Sequence, residues 1–257
     1  MNLGELLDEL RNNVLHDRSN QIAGDNSPSS YLWSDNTLIR YINVAERKMA
    51  REALMIRDAR TPDCCELQTQ PFEREYDLHD SVVAVISARC EHDHADLARA
   101  GHADFNTYHV PDTYFFDPSA LGFLPPGKIV AYDTDEGIAQ DDNGSFGRMT
   151  FRTFPAPDPI HVQTIKLRVC RMPLQKLCNM DDVPEVPEDH HIDMLSWAAY
   201  LALRIVDRDA GDPARAAEFK QDFEVHVAEA RKVAMRKMFS RAQWGFGRNG
   251  FSWETNQ

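Results

Sequence analysis

Apolar residues recur at helical spacing in two stretches near the start of the chain. The first covers residues 3–16, where four leucines and a valine fall on one face. The second begins at Ser34, a residue type that caps helices, and Trp33 and Leu38 flank it as a hydrophobic staple would require. The apolar stripe of this second helix consists of Leu38, Ile42, Ala45, Met49 and Ile56. Because a proline follows shortly afterwards, the pattern predicts that the helix ends near Arg60.

The middle of the chain changes to short runs typical of strands. In the run that ends at Arg171, Ile165, Leu167 and Val169 alternate with polar residues, as in a half-buried strand. Proline and glycine turn signals separate the runs. The predicted strands are Glu66–Thr69, Ser81–Ala88, Lys128–Tyr132, Arg148–Phe154 and Val162–Arg171. The pattern predicts a small antiparallel β domain over residues 61–182.

Helical spacing returns in the last third of the chain. Prolines and acidic residues over Pro184–Asp189 form a helix-start signature. The expected buried stripe of this third helix is Ile192, Leu195, Ala199, Ala202 and Val206. Gly211 ends it, and Asp212 with Pro213 starts a fourth helix that is expected to run to about Trp244. The apolar face of the fourth helix is expected to be Ala216, Phe219, Phe223, Ala230 and Met238.

The last thirteen residues combine three glycines with three aromatic side chains. The glycines disfavour a helix, and exposed aromatic groups cost solubility unless a partner covers them. We expect residues 245–257 to be a flexible tail that orders on a partner, with Phe246, Arg248, Phe251 and Trp253 as anchors. The alternative is a disordered end that merely contains aromatic residues.

These elements predict an α+β fold. About four helices form an antiparallel-type bundle, contributed by residues 1–60 and 183–244. The β-rich domain of residues 61–182 is inserted between them, and the docking tail of residues 245–257 follows.

Composition narrows the function classes. The chain has 257 residues, of which 42% are hydrophobic and 27% charged, as expected for a folded globular protein. The longest apolar run, Trp197–Leu203, is far shorter than the ~20 residues of a membrane span. The net charge of −13 disfavours a protein that binds along the phosphate backbone of nucleic acid. Residues 231–257 carry +5, which leaves −18 for residues 1–230.

The cysteines and the start of the chain bear on its location. Five cysteines without regular spacing argue against a disulfide framework and favour a reducing, cytoplasmic setting for assembly. The first residues show no signal-peptide pattern.

Candidate chemistry is sparse. Cys90–His94 could offer metal ligands, but neither a CxxC nor an HExxH motif accompanies it. Adjacent side chains in Asp189–His191 diverge on a helix, and Asp133–Glu136 and Asp141–Gly144 lack the spacing of calcium loops. Phosphate-binding and nucleophile motifs are absent from the sequence. We therefore expect no catalytic residues, no metal and no cofactor, and a protein that is not an enzyme.

Two segments carry a family resemblance. The stretch Trp33–Arg47 resembles a helix of tailed-bacteriophage head-to-tail adaptor (connector) proteins, which reads W-s-D-e-x-L-x-x-Y-l-N-e-A. Val186–Glu188, followed by Leu195 and the alanine-rich stretch to Leu203, resembles a second family helix. The aspartates before the fourth helix and the phenylalanines on it also fit. The resemblance covers the helical flanks, roughly half of the chain.

The resemblance implies a virion protein of the head–tail junction, assembled in the host cytoplasm. It implies a ring, expected to be twelvefold, that lies beneath the portal, extends the DNA channel and binds the next neck or tail protein. Genomic DNA would pass the lumen without specific binding, and the C-terminal tail would contact the portal. The alternatives are another neck or tail-completion protein of the stopper type, a metal-dependent hydrolase that uses Cys90–His94, and a small regulatory binding module.

Overall fold

A computed structural model describes residues 1–17, 31–99, 125–136, 149–204 and 212–239. Within these ranges the chain has a mixed α+β fold with five α-helices and two small sheets. In chain order the elements are α1 (Leu3–Glu9), a π-helix (Leu10–Leu15), α2 (Asp35–Ala53), β1 (Arg57–Asp58), α3 (Pro62–Cys65), β2 (Glu66–Gln68), β3 (Glu75–Asp77), β4 (Val82–Cys90), β5 (Ala98–Arg99), β6 (Ala131–Glu136), β7 (Met149–Phe154), β8 (Thr164–Arg171), a 3₁₀ turn (Glu188–His190), α4 (His191–Leu203) and α5 (Pro213–Phe239).

The first predicted helix is split into two kinds of turn. The Asn2 side chain caps α1 in a reciprocal capping box with Glu5. At Leu10 the backbone widens into the π-helix, which ends at the left-handed residue His16 (φ 55°). Apolar spacing alone predicts this segment as one regular helix, because a π-turn shifts the buried face by only part of a turn.

The second helix begins as predicted and ends earlier. The Ser34 hydroxyl accepts the backbone N–H of Thr37, which confirms the predicted cap. The prediction of an end near Arg60 is wrong, because Leu54 adopts a left-handed conformation (φ 54°) that terminates α2. The chain then enters β1, which pairs with β8. Ile56 stays buried, so the apolar pattern continues although the helix does not.

Strand β8 organises the first sheet. One of its edges pairs with β4, and the other pairs with β1 and then β2. The second sheet has the order β3-β7-β6-β5, in which only β5 and β6 run parallel. Four of the predicted strands lie within two residues of observed ones, whereas the run Lys128–Tyr132 overlaps β6 by only two residues. The strands β1, β3 and β5 are too short to show a pattern.

Two hydrophobic clusters form the interior. The first unites α1, the π-helix, α2, α4 and α5. At its edge the partly buried Trp197 ring lies 4.7 Å from Tyr200 and 5.1 Å from the fully buried Phe223, measured between centroids. The second cluster lies among the strands, where Tyr132 and Phe151 stack at 5.0 Å. The helices of the first cluster come from both ends of the described chain.

The C-terminal helices follow the predicted pattern with one error. Leu195, Ala199 and Ala202 are buried as expected, but Ile192 is 59% exposed because the preceding His191 occupies the inward position instead. Val206 and Gly211 lie outside the described residues. The Asp212 carboxylate accepts the backbone N–H of Arg215 at 3.1 Å, which confirms the cap of α5.

The described part of α5 ends at Phe239, so the side chain of Met238 and the predicted end near Trp244 are not described. Ala216, Phe223 and Ala230 are buried as predicted. None of the helices in the described ranges combines the length and apolarity needed to cross a bilayer.

Candidate functional site

The predicted docking tail lies outside the described residues. Phe246, Arg248, Phe251 and Trp253 therefore keep the status of predictions from the sequence. The structure instead describes the helix that leads to the tail, a polar junction between the two hydrophobic clusters, and two charged helix faces.

The polar junction is centred on Arg171, the last residue of β8. Its Nε donates to Asp58 at 2.7 Å, and its Nη1 donates to Glu185 at 2.5 Å. The side chains of Arg171 and Asp58 are each only 10% exposed. Burial alone would raise the pKa of Asp58, but hydrogen bonds from Thr61, Arg60 and Arg171 hold that pKa below its usual range. The junction thus keeps a charged, fully paired cluster where the sheet meets the helices.

Glu46 extends this junction into α2. Its carboxylate accepts the backbone N–H of Glu185 at 2.8 Å, and its side chain is almost completely buried. Burial raises the pKa of Glu46 from 4.5 to about 7, the hydrogen bond from Glu185 opposes the rise, and the Glu185 carboxylate adds to it. Glu46 therefore links the segment before α4 to α2, although burial disfavours the ionised form of its carboxyl group.

A second polar anchor surrounds Arg11 in the π-helix. Its guanidinium donates to the carbonyl of Trp33 at 2.8 Å, pairs with Asp35 at 2.7 Å and stacks over Tyr31. Asp17, which is also buried, accepts the backbone N–H of Leu32. These bonds fasten the π-helix to the start of α2.

The side chains of Cys90–His94, considered above as possible metal ligands, are not gathered at one point. Cys90 is fully buried in the β core, whereas His92 and His94 lie on an exposed turn. Asp93 forms an ion pair with Lys128 at 3.1 Å. The geometry gives the hydrolase alternative no support.

The histidines at the start of α4 also face different partners. His191 is buried and lies 2.8 Å from the Val186 carbonyl, while His190 lies 3.0 Å from Asp193. Asp133–Glu136 belongs to β6, and Asp141–Gly144 lies outside the described residues.

One further cluster, which the sequence does not predict, has ligand-type atoms close together. Among the described residues, Asp58, Cys64 and Cys65 place one ligand atom each within 4.8 Å of one another. The carboxylate is already paired with Arg171, which would repel a cation. Burial raises the pKa of Cys64 and raises that of Cys65 to about 12, so both thiols keep their protons at neutral pH. This arrangement suits core packing better than metal binding.

Two helix faces carry opposite charge. Glu5, Asp8 and Glu9 lie along the exposed side of α1 and line a groove of about 760 Å³. Towards the end of α5, Arg231, Lys232 and Arg236 form an exposed basic face. Helical spacing in the sequence places each set on one face, but only the structure shows that both faces are free of the core.

The buried charges at Arg11, Glu46 and Arg171 are not predicted from the sequence, because polar residues in these elements are expected to face solvent. The alternation of β8 does place Arg171 on the inward side with Ile165, Leu167 and Val169, but it gives no sign of the partners that a buried charge needs. Glu46 likewise lies beside the apolar stripe of α2.

Comparison with known proteins identifies the family. The family model described as SU10 adaptor protein matches residues 1–245, which is nearly the whole chain. A comparison with curated proteins gives no match. The chain therefore belongs to the SU10 adaptor protein family, a non-enzymatic family of bacteriophage head-to-tail adaptors.

Proposed function

We propose that this protein forms a ring beneath the portal of a tailed bacteriophage, where it extends the DNA channel and presents a docking surface for the next neck or tail component. The family match over residues 1–245 carries this proposal, because the adaptor function sets the protein between head and tail. The ring, expected to contain twelve copies, is the arrangement that leaves an axial passage for DNA.

The charge balance supports the role of a channel. Residues 1–230 carry −18, and an acidic wall repels the phosphate backbone. Genomic DNA then passes through the lumen without specific binding. A ring whose wall bound DNA tightly would slow the passage of the genome through the channel.

The C-terminal tail is proposed to attach the ring to the portal. Residues 245–257 follow α5 in the chain and contain Phe246, Arg248, Phe251 and Trp253 as candidate anchors. Aromatic and arginine side chains dominate the energy of many protein interfaces, and glycines let an extended segment adapt to its partner. The segment would contribute most of the affinity for the portal.

We further propose that different parts of the chain have different roles in the ring. Residues 1–60 and 183–244 build the helical part of the ring, and residues 61–182 form an inserted domain whose loops face the neighbouring components. The two separate hydrophobic clusters support this division. The virion, at the head–tail junction, is the expected location.

The copy number in purified particles tests the proposal. Quantitative mass spectrometry of virions, normalised to the portal protein, should give a ratio near one to one for a ring of matching symmetry. Absence from tailed particles would overturn the adaptor role. A ratio far below one, with the protein located lower in the tail, would instead identify a stopper-type or tail-completion protein.

A further inference from the structure

The outer face of α5 near its C-terminal end is exposed and basic. Arg231, Lys232 and Arg236 are all exposed, and together with Ala228 and Met235 they line a shallow apolar groove of about 620 Å³. These five residues are spaced by one, three or four positions, so they share one side of the helix. The ion pairs of α5 in the described part of the chain are Lys220 with Glu224 and His226 with Asp193, and neither involves these three cations.

The dipole of α5 does not account for all of this charge. Cations stabilise a helix C-terminus, but the effect fades beyond the last turn. Arg231 precedes Phe239, the last described residue of α5, by two turns, and Ala228 and Met235 add apolar surface that the dipole does not require. The face thus has the composition of a contact surface with a charged rim.

The same chain carries a complementary face on α1. Glu5, Asp8 and Glu9 extend over about 6 Å of the helix axis, and Arg231 to Arg236 extend over about 7.5 Å, at a rise of ~1.5 Å per residue. Asp8 has no cationic partner among the described residues, and Glu9 accepts only a neutral hydrogen bond from Asn13 at 2.7 Å. Asp8 and Glu9 lie beyond the first turn of α1, so the helix dipole does not account for acidic residues at these positions either.

Within the described part of one chain, no ion pair or side-chain hydrogen bond joins the two faces. α5 packs on α4 and α2, and Arg215 near its start donates to the Val14 carbonyl at 2.7 Å. Further along, His226 lies 3.5 Å from Asp193 at the start of α4, so the basic face follows at that end of the helical cluster. Two different, complementary faces on one molecule are what a head-to-tail contact between copies requires, and such contacts close into rings.

We infer that the basic, apolar-centred face of α5 (Ala228, Arg231, Lys232, Met235 and Arg236) docks on the acidic face of α1 (Glu5, Asp8 and Glu9) of a neighbouring copy of this chain. The inference rests on the proposed ring and names the surface that holds it together. The contact is electrostatically steered and rimmed by charge, so assembly weakens as salt screens it.

A charge swap tests the inference. The full-length chain is mixed with purified portal, and rings are counted by negative-stain electron microscopy across a concentration series. The variants are R231E/R236E, D8K/E9K and the combination of all four substitutions. The matched control is K176E/K220E, which reverses two exposed lysines outside both faces. Circular dichroism verifies that each variant keeps its helix content.

The two double variants should each require at least about tenfold more protein to form rings, and the combined variant should return to within about threefold of wild type. The control should match the wild type. Rings that form normally in both double variants would overturn this interface and leave the proposed ring intact, whereas a wild type without rings would remove both. Failure of the combined variant to recover would also overturn it, because the basic face would then serve the portal.

A nucleic-acid role gives a different result. If R231E/R236E forms rings like the wild type but loses binding to a duplex DNA probe, the basic face contacts DNA and the inference is wrong.

Discussion

Arg171, at the end of β8, lies 2.7 Å from the Oδ2 atom of Asp58 in β1. This pair lies where the chain enters and leaves the β region, because Asp58 and Val169 are paired residues of the two strands. Glu185, on the segment that leads to α4, binds the other side of the same guanidinium. One cation therefore joins the two ends of the β region to the beginning of the C-terminal helices.

Replacing Arg171 with methionine should destabilise the fold strongly. The substitution leaves Asp58 without its cation in a site that is only 10% exposed, and breaking a buried pair on one side costs about 3–5 kcal/mol. Urea unfolding measures the loss. The matched control is R168M, on the same strand at a half-buried position without an ion pair in the described part of the chain. Equal stability of the two variants would show that the ion pairs of Arg171 do not contribute to the free energy of unfolding.

Glu46 should make stability fall as pH rises. Its pKa of about 7 in the folded chain exceeds the ordinary 4.5, so the folded state binds the additional proton between these values. Stability that is fully present below about pH 4.5 is then lost up to about pH 7, by an amount on the order of 3 kcal/mol. E46Q keeps an acceptor for the N–H of Glu185 and removes this ionisation.

Thermal unfolding of wild type and E46Q at pH 5 and pH 8 checks the Glu46 prediction. E46Q should be more stable relative to wild type at pH 8 than at pH 5. A difference between the two proteins that does not change with pH would refute the role of Glu46 ionisation.

Substitution of Phe72 should increase the stability of the fold. Its ring is 64% exposed, and its backbone has a φ of 65°, which bulky residues rarely adopt. Asparagine tolerates this conformation without the extra chain entropy of glycine, so F72N should stabilise the fold by about 0.5–1 kcal/mol. F72A, which loses the ring without gaining this tolerance, should not. Loss of stability in F72N would mean that the phenyl ring packs more than its exposure suggests.

Removing residues 245–257 should separate folding from attachment. A chain that ends at Trp244 keeps every described element, so its circular dichroism and unfolding midpoint should match the full chain. Its affinity for isolated portal should fall at least tenfold, because the candidate anchors Phe246, Phe251 and Trp253 are lost. Full-length chain with these three residues changed to serine serves as the comparison. Unaltered portal binding by both proteins would falsify the docking role of the tail.

The sequence predicts those parts of the fold that are periodic. The sequence predicts the caps Ser34 and Asp212 correctly, because capping depends on a few neighbouring residues. The run Val162–Arg171 is predicted within two residues of β8, because alternation marks a half-buried strand. The predicted second helix is longer than α2, because Ile56 continues the apolar spacing in a different backbone conformation.

The candidate sites depend on contacts between distant residues, and those leave no local pattern. Glu185 and Arg171 are 14 positions apart, and Asp58 lies 113 positions from Arg171. The alternation of β8 places Arg171 on the inward side and Arg168 on the outward side, but it does not reveal the partners of Arg171. Helical spacing in the sequence predicts the charged faces of α1 and α5. Whether those faces are exposed depends on which side of each helix packs against the hydrophobic core.

The antiparallel pairing of β1 with β8 has a consequence for how this protein can change over time. The entry and exit of the β region are hydrogen-bonded to each other, with Arg57 opposite Cys170. We expect the chain between β1 and β8 to tolerate insertions, deletions and replacement by recombination, because the two attachment points stay a few ångströms apart. Viruses that adapt to new tail components would then exchange this region as one unit, with no change in the helices to which it is attached.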